Sequence, residues 1–76
     1  MGDYVINVTQ IEDLQTTQNV DELQRIFKKA KSAIVNGEQV LLVRKYKDGR
    51  SEKFDELSTL EDLELYRKTV FKYLNY

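Results

Sequence analysis

The sequence contains no cysteine and no histidine among its 76 residues. Without cysteine it forms no disulfide, and without either residue a zinc site would need carboxylates alone, which is not how structural zinc is held. The residue types that most often act as nucleophile or general base are missing as well. These absences predict a protein that is not an enzyme, holds no metal or other cofactor, and is stabilised by good packing or by oligomerisation.

Long hydrophobic runs and targeting segments are also lacking. No apolar run reaches the roughly 18 residues of a membrane-spanning helix, and the first residues lack the basic and apolar regions of a signal peptide. Together with the absence of cysteine, this predicts a cytoplasmic location. The length allows one domain, which buries only about 60% of its unfolded surface.

Charge is unevenly distributed along the chain, although the formal net charge is −1. Between Leu23 and Arg50 eight basic residues outnumber two acidic ones, which leaves a local charge of +6. From Ser51 to Glu64 six acidic residues outnumber a single lysine, which leaves −5. Blocks of opposite sign on one chain favour head-to-tail contact between neighbouring copies.

The first 18 residues carry mixed signals. Apolar residues alternate from Tyr4 to Val8 as in a strand, and then recur at three-residue spacing to Leu14 as in a helix. Residues 9–12 have the form of a capping box. We expect residues 1–18 to form an extended segment, one helical turn and a polar loop. If the extended segment is a strand, it is placed to flank the following hairpin as a third strand.

The first long helix is predicted to begin after Asn19 and to end at Asn36-Gly37. Asn19 is a favourable N-cap, and Glu22 follows at the spacing of a capping box. Gly37 suits the left-handed position that follows a helix. The apolar stripe predicted to be buried consists of Val20, Leu23, Ile26, Phe27, Ala30, Ala33 and Ile34.

The next segment is predicted to be a β-hairpin that turns at Asp48-Gly49. This dipeptide favours a type I′ turn, which needs positive φ at both central residues. A two-residue loop places Val43 opposite Phe54, whereas a three-residue loop places Leu42 there. The sequence leaves both registers open.

A second long helix is predicted to begin near Ser58 or Thr59, because Ser58 and Glu61 have the spacing of a capping box. Its predicted buried stripe consists of Leu60, Leu63, Tyr66, Val70, Tyr73 and Leu74. Leu65 and Phe71 fall partly off this stripe, where they are free to contact the N-terminal segment or a partner.

Together these elements predict an α+β fold in which two antiparallel helices pack on a β-hairpin (α-β-β-α), with an extra N-terminal extended segment or strand. Residues 1–18 are the N-terminal extended segment and loop, and residues 19–76 are the helix–hairpin–helix domain. The two helix stripes are expected to face each other, with Phe54 and either Val43 or Leu42 packed over them.

A family resemblance extends from Leu23 to about Leu74, roughly two thirds of the chain. Its parts are a first helix ending at Asn36-Gly37, a strand running into Lys47-Asp48-Gly49-Arg50, a second strand with Phe54, and a capped second helix with Leu63 and Tyr66. In this order the chain resembles the head-completion (head–tail joining) protein W family of lambda-like tailed phages. It departs from that family by ending at Tyr76 without a flexible tail, and by extra N-terminal residues that either do the tail's work or cap the core.

The resemblance implies a non-catalytic protein–protein association module, specifically a phage or prophage head–tail joining adaptor. Its implied partners are portal and tail components, with copies of the chain forming a ring, and its implied location is the host cytoplasm or the virion. The exposed residues that we expect to bind a partner are Arg25, Lys28, Lys29, Lys47, Arg50 and Tyr76.

The alternative is a small cytoplasmic nucleic-acid-binding or regulatory binding domain that uses the basic surface of the first long helix and the hairpin. Phosphates would contact the cations there, and Tyr46 would stack on a base. An isoelectric point near 5.4 is unlike that of a dedicated DNA-binding domain, and exposed lysines also protect an edge strand from aggregation. Asp55/Glu56 and Glu61/Asp62 offer oxygen ligands for a hard cation, but helix capping already accounts for the second pair.

Overall fold

The computed structural model describes residues 3–74. Its elements are β1 (Tyr4–Asn7), α1 (Val8–Thr16), α2 (Val20–Val35), β2 (Val40–Lys45), β3 (Ser51–Leu57) and α3 (Leu60–Phe71). The strands form one mixed sheet in the order β1–β2–β3, in which β1 is parallel and β3 antiparallel to β2. The predicted α+β fold is confirmed, including the N-terminal segment as a third strand beside the hairpin.

The N-terminal segment contains more helix than predicted. Instead of one turn, α1 has nine residues, and its N-cap is Asn7, whose Oδ1 accepts from the backbone N–H of Thr9 at 3.0 Å. The helix continues into the expected polar loop, where the Nε2 of Gln15 donates to the carbonyl of Val70 in α3 at 3.0 Å. The last turn of α1 thus has a contact with α3, far along the chain, and the local sequence pattern from which one turn was predicted contains no such information.

Both ends of α2 are as predicted. The Oδ1 of Asn19 accepts from the backbone N–H of Glu22 at 3.2 Å. At the other end Gly37 has φ +85°, and the N–H of Glu38 donates to the carbonyl of Ala33 at 2.8 Å. This hydrogen bond is typical of a Schellman motif and turns the chain back towards the sheet.

The hairpin follows neither predicted register along its whole length. Its turn is a three-residue loop in which only Gly49 has positive φ, at +90°, so the type I′ prediction is wrong. Between Leu42 and Val43 the register shifts by one residue, so that Leu42 lies opposite Asp55 and Val43 opposite Lys53. Phe54 is the extra residue of this β-bulge and has no paired residue across the hairpin.

The bulge removes Phe54 from the core in which it was expected. The side chain of Phe54 is 52% exposed, and Val43 is only half-buried. Of the two alternatives considered for β2, Leu42 is the core residue. Leu57, at the end of β3, provides the buried side chain that this strand was expected to supply through Phe54.

The buried face of α3 differs from the predicted stripe at both ends. Thr59 is the N-cap, with its side-chain oxygen accepting from the backbone N–H of Asp62 at 3.1 Å. Leu60 and Tyr73 are exposed, whereas Phe71 is buried with its ring centroid 5.8 Å from that of Phe27. Phe27 of α2 contacts the end of α3. Phe71 therefore packs inwards against Phe27, although regular helical spacing had placed Phe71 off the predicted stripe.

All helices pack on one face of the sheet, so the fold has two layers. The core lies between these layers and consists of Ile6, Val8, Ile11, Leu23, Ile26, Phe27, Ala30, Ala33, Val40, Leu42, Leu57, Leu63, Val70, Phe71 and Leu74. Three of these residues come from β1 and α1, so the N-terminal segment completes the core. Across residues 3–74, no helix has the length and apolar character needed to cross a lipid bilayer.

Candidate functional site

The face of the sheet that carries no helix bears a group of apolar side chains. In this sheet Ile6 pairs with the buried Leu42, and Val5 pairs with Leu41. Paired residues lie on the same face and neighbours along a strand on opposite faces, so Val5 and Leu41 point away from the helices. Val5 is 49% exposed. We call the apolar sheet residues outside the helix-covered core the open face: Val5, Leu41, Val43 and Phe54.

Charged side chains border the open face. Lys53 lies opposite Val43 and Glu56 lies opposite Leu41, which places both charges on the uncovered side of the sheet. The Nζ of Lys53 is 3.1 Å from the Oε2 of Glu56. An apolar centre with a charged border is the usual composition of a surface that binds another protein.

The basic residues of α2 form a second surface, on the outside of the helix. Arg25, Lys28 and Lys29 line a groove of about 520 Å³ between α2 and the start of β1. Lys28 also lines a groove between α2 and α3, together with Lys31 and Arg67. Of the three cations predicted here, Arg25 is paired with Glu22 at 3.5 Å, and no ion pair within residues 3–74 includes Lys28 or Lys29.

The hairpin turn holds the other two predicted cations, Lys47 and Arg50. Arg50 is fixed within the turn, because its Nε lies 2.7 Å from the Oδ2 of Asp48 and its guanidinium lies over the ring of Tyr46, 5.1 Å from the centroid. This cation–π contact covers the aromatic face that base stacking would need. Lys47 is exposed at the tip of the turn.

The structure does not bring the two groups of predicted residues together. The groove beside Arg25 includes Tyr4, which pairs with Val40 at the start of β2, whereas the turn follows Lys45 at the other end of that strand. Six residues of strand separate these positions by about 17 Å. Helix and hairpin therefore present separate basic surfaces, and Tyr76, the remaining predicted residue, lies outside the described residues.

An acidic groove of about 410 Å³ lies at the other edge of the sheet, between β3 and α3. Its carboxylates are those of Asp55, Glu56 and Asp62, and its floor includes the half-buried ring of Tyr66. Leu65, 59% exposed, stands at the same groove. The sequence indicated this acidic stretch, but only the pairing of β3 and the direction of α3 place its members side by side.

One electrostatic network joins the helices to the sheet. Hydrogen bonds from Arg44, and its charge, lower the pKa of Glu12, although partial burial opposes the effect. Burial, with a further contribution from the Glu12 carboxylate, raises the pKa of Tyr66 to about 12. All three groups keep their ordinary protonation state at neutral pH, so the network is a structural link and not an acid–base pair.

Between residues 3 and 74 no polar or charged side chain is buried, and no group of three or more acidic side chains is arranged to hold a metal ion. The surfaces that the described residues present are the open face, the basic side of α2 and the acidic groove.

Sequence reasoning missed the open face. Phe54 was assigned to the core, and Val5 was not assigned to any exposed surface. The available signal was the composition of β3, in which every residue except Phe54 and Leu57 is charged or is serine. A lone aromatic residue among charges is more typical of an edge strand with an exposed apolar contact than of a buried strand.

No protein-family model, curated protein or solved structure matches this chain.

Proposed function

We propose that this chain is a non-catalytic protein–protein association module and that the open face is its contact surface. The observation that carries the proposal is that one whole side of a three-stranded sheet is left without helices while bearing Val5, Leu41, Val43 and Phe54. Large exposed groups of apolar side chains on a protein surface often mark a binding site for another protein. The exposed aromatic ring of Phe54 is suited to anchor a partner, because aromatic residues are enriched at the centres of interfaces.

The specific role that we propose is that of a phage or prophage head–tail joining adaptor in virion assembly. Its support is the ordered pattern of helix, Lys-Asp-Gly-Arg turn, aromatic strand and capped helix that resembles the protein W family. The partners are then a portal protein or a tail component, and the protein acts in the host cytoplasm and in the virion. Arg25, Lys28, Lys29, Lys47, Arg50 and Tyr76 remain the residues proposed to bind further partners in this assembly.

The test is to identify the neighbouring genes and to co-express the chain with any portal or tail protein that they encode. The complex should co-purify with the unaltered chain and be lost with Phe54→Asp, which places a charge at the centre of the open face. Leu60→Asp is the matched control, because Leu60 is 45% exposed but lies on α3, away from the open face. Circular dichroism is used to check that both variants are folded.

The outcomes test separately the adaptor role and the assignment of the open face as the contact surface. If the neighbouring genes encode no portal, terminase or tail protein, the adaptor role is wrong. If a complex forms and both variants retain it, the open face is not the contact surface. If only Phe54→Asp loses the complex, the adaptor role and the open face as its contact surface are both supported.

A second candidate function is binding of nucleic acid or of another polyanionic regulator by α2. It is favoured by the exposed positions of Lys28, Lys29 and Lys31, which belong to none of the ion pairs within residues 3–74. The logarithm of the binding constant for duplex DNA should then fall linearly with the logarithm of the salt concentration. Lys28→Glu should make this dependence less steep. Equal binding by Lys28→Glu and the unaltered chain would remove this candidate.

A further inference from the structure

The two edges of the sheet differ in how well they are protected from pairing with another chain. Strand β3 contains a bulge, and four of its seven residues are charged. Strand β1 contains no charged residue and no proline, and its register with β2 is continuous from Tyr4 to Asn7. Charges and bulges are the usual features that prevent a further strand from adding to an edge, so β1 is the edge more open to such addition.

Val5 directs its backbone to the free edge of β1. The N–H of Tyr4 donates to the carbonyl of Gln39 at 3.0 Å, so the backbone of Tyr4 faces β2. Consecutive residues of a strand direct their N–H and C=O groups to opposite edges, which turns those of Val5 away from β2. No strand within residues 3–74 lies on that side. One donor and one acceptor are therefore available there to an added strand.

The outer side of α2 lies beside the same edge. We call the groove between α2 and the start of β1 the basic groove; its cations are Arg25, Lys28 and Lys29, and it is also lined by the carboxylates of Asp3 and Glu38. No ion pair within residues 3–74 includes Lys28 or Lys29. A strand added to β1 would therefore run alongside cations that the described part of the chain does not neutralise.

Side chains of an added strand would alternate between two environments. Tyr4 lines the basic groove and Ile6 is buried against the helices, whereas Val5 lies on the open face. Residues of the added strand beside Tyr4 and Ile6 would face the helix side and its cations, and a residue beside Val5 would extend the open face. The first environment favours carboxylates, and the second favours apolar side chains.

We infer that β1 binds an extended acidic segment of a partner protein, in which carboxylate and apolar residues alternate, as an additional strand of the sheet. The inference rests on the proposed association function, whose partner it describes by its chemistry. In contacts of this kind the main-chain hydrogen bonds give affinity and alternate side chains give specificity. Since β1 has only four residues, the charges of the basic groove supplement a small number of backbone hydrogen bonds.

An acidic peptide fits these observations better than nucleic acid does. A phosphate backbone carries charge at every nucleotide, and Asp3 and Glu38 would repel it at the end of the basic groove. A peptide can place separate carboxylates opposite the cations of α2 alone. It also supplies backbone partners for the outward N–H and C=O groups of Val5.

The test is fluorescence anisotropy with short synthetic peptides in which glutamate and valine alternate. The unmodified peptide should bind, and a peptide in which lysine replaces glutamate should not. N-methylation of all valine nitrogens blocks one edge of the peptide, and N-methylation of all glutamate nitrogens blocks the other. One of these two peptides should lose at least about tenfold in affinity and the other should bind nearly as before, because an added strand pairs through a single edge.

Two pairs of variants locate the binding to β1 and the basic groove. Val5→Pro removes the outward N–H at a position where an edge strand tolerates proline, and it should weaken binding about tenfold, whereas Val5→Thr keeps the N–H and should bind normally. Lys29→Glu should weaken binding about fivefold. Lys31→Glu is its control, because Lys31 lies on the same helix but lines the groove on the α3 side.

Four results would overturn the inference. Equal binding of the two N-methylated peptides would show that no strand is added. Equal effects of Lys29→Glu and Lys31→Glu would show that general charge attracts the peptide. Self-association that Val5→Pro abolishes, measured by sedimentation velocity, would assign the edge to a second copy of the chain. Duplex DNA that binds more tightly than the peptide at about 0.15 M salt would assign the basic groove to nucleic acid.

The peptide assay fails independently of the test of the association function. It contains no portal or tail protein and alters no residue of β3. Loss of peptide binding together with an intact complex in co-purification would overturn only the addition of a strand to β1. Peptide binding by a chain whose complex survives Phe54→Asp would overturn only the assignment of the open face as the contact surface.

Discussion

Arg44 binds Glu12 at two points, with its Nη1 2.9 Å from Oε1 and its Nη2 3.2 Å from Oε2. The pair joins the middle strand of the sheet to α1. Two parallel hydrogen bonds fix the orientation of both groups, which a single contact between a lysine and a carboxylate does not do. The N-terminal helix is thereby attached to the sheet at its solvent-exposed side as well as through the core.

Glu12→Gln should lower stability at neutral pH and have no effect in strong acid. The pKa of Glu12 is lower in the folded chain than its ordinary value of 4.5. The stabilisation is therefore present above the unfolded pKa and is lost as pH falls through the folded pKa. Urea unfolding at pH 7 and at about pH 2 measures the difference. Asp13→Asn, on the same helix, is the control and should cost less stability at pH 7, because none of the ion pairs within residues 3–74 includes Asp13.

Leu63→Ala should destabilise the fold by about 2–5 kcal/mol, because truncating a buried leucine leaves a cavity. Leu63 is 5% exposed and lies between α3 and α2. Leu65→Ala is the matched control on the same helix, since Leu65 is 59% exposed. The two free energies of unfolding, from denaturant titration, should differ several-fold. Equal effects would mean that α3 is rotated from its position here.

Gly49→Val should destabilise the hairpin by about 1–2 kcal/mol through the positive φ of +90°. No atom lies within 4 Å of the position that a Cβ would occupy, so the cost comes from the backbone and not from a clash. Gly49→Asn should cost less, because asparagine tolerates the left-handed region. Thermal unfolding of the three proteins checks this order. A valine variant as stable as the original would show that the turn does not adopt this conformation.

Stability should fall between about pH 10 and pH 12, and Tyr66 should account for part of the fall. The pKa of Tyr66 is raised from 10.0 to about 12, mainly by burial. Over that interval the unfolded chain loses the phenolic proton while the folded chain keeps it, so unfolding is favoured. The effect should be roughly 1 kcal/mol at about pH 11, because the ring is only partly shielded from water.

Tyr66→Phe should remove this part of the alkaline loss, whereas Tyr73→Phe should leave it unchanged. Tyr73 is 65% exposed and lies outside the core, so it serves as the control. Melting temperatures at pH 8 and at about pH 11 give the comparison. An alkaline loss that persists undiminished in Tyr66→Phe would assign it to other groups, such as the lysines.

Local signals predicted most of the fold. Asn19 and Gly37 mark helix ends by contacts within a few residues, and each holds the predicted position. For α3, the N-cap is Thr59, one of the two residues considered, and not Ser58 with its predicted capping box. The extent of α1 and the burial of Phe71 depend on contacts with residues far along the chain, such as Gln15 with Val70, which no local pattern contains. The fold class could therefore be predicted, whereas the details of packing could not.

The candidate surfaces, like the fold, could be predicted from the sequence only in part. The exposed positions of Lys28 and Lys29 follow from helical spacing and were predicted. The exposure of Phe54 follows from a one-residue bulge, and the strands on both sides of the bulge fit one or the other of the two predicted registers. A single extra residue changes the side of the sheet to which a side chain belongs. The open face could not be found without knowing where that residue lies.

The parallel pairing of β1 with β2 also affects how the chain folds during its synthesis. Tyr4 pairs with Val40, so the first strand to be made has no partner until 36 further residues have been added. At about 5–20 residues per second, Ile6 and its neighbours wait for several seconds on the ribosome. The two strands of the hairpin pair over shorter stretches of chain, of which the longest runs from Val40 to Leu57. During synthesis the N-terminal strand therefore stays without a strand partner for longer than either strand of the hairpin does.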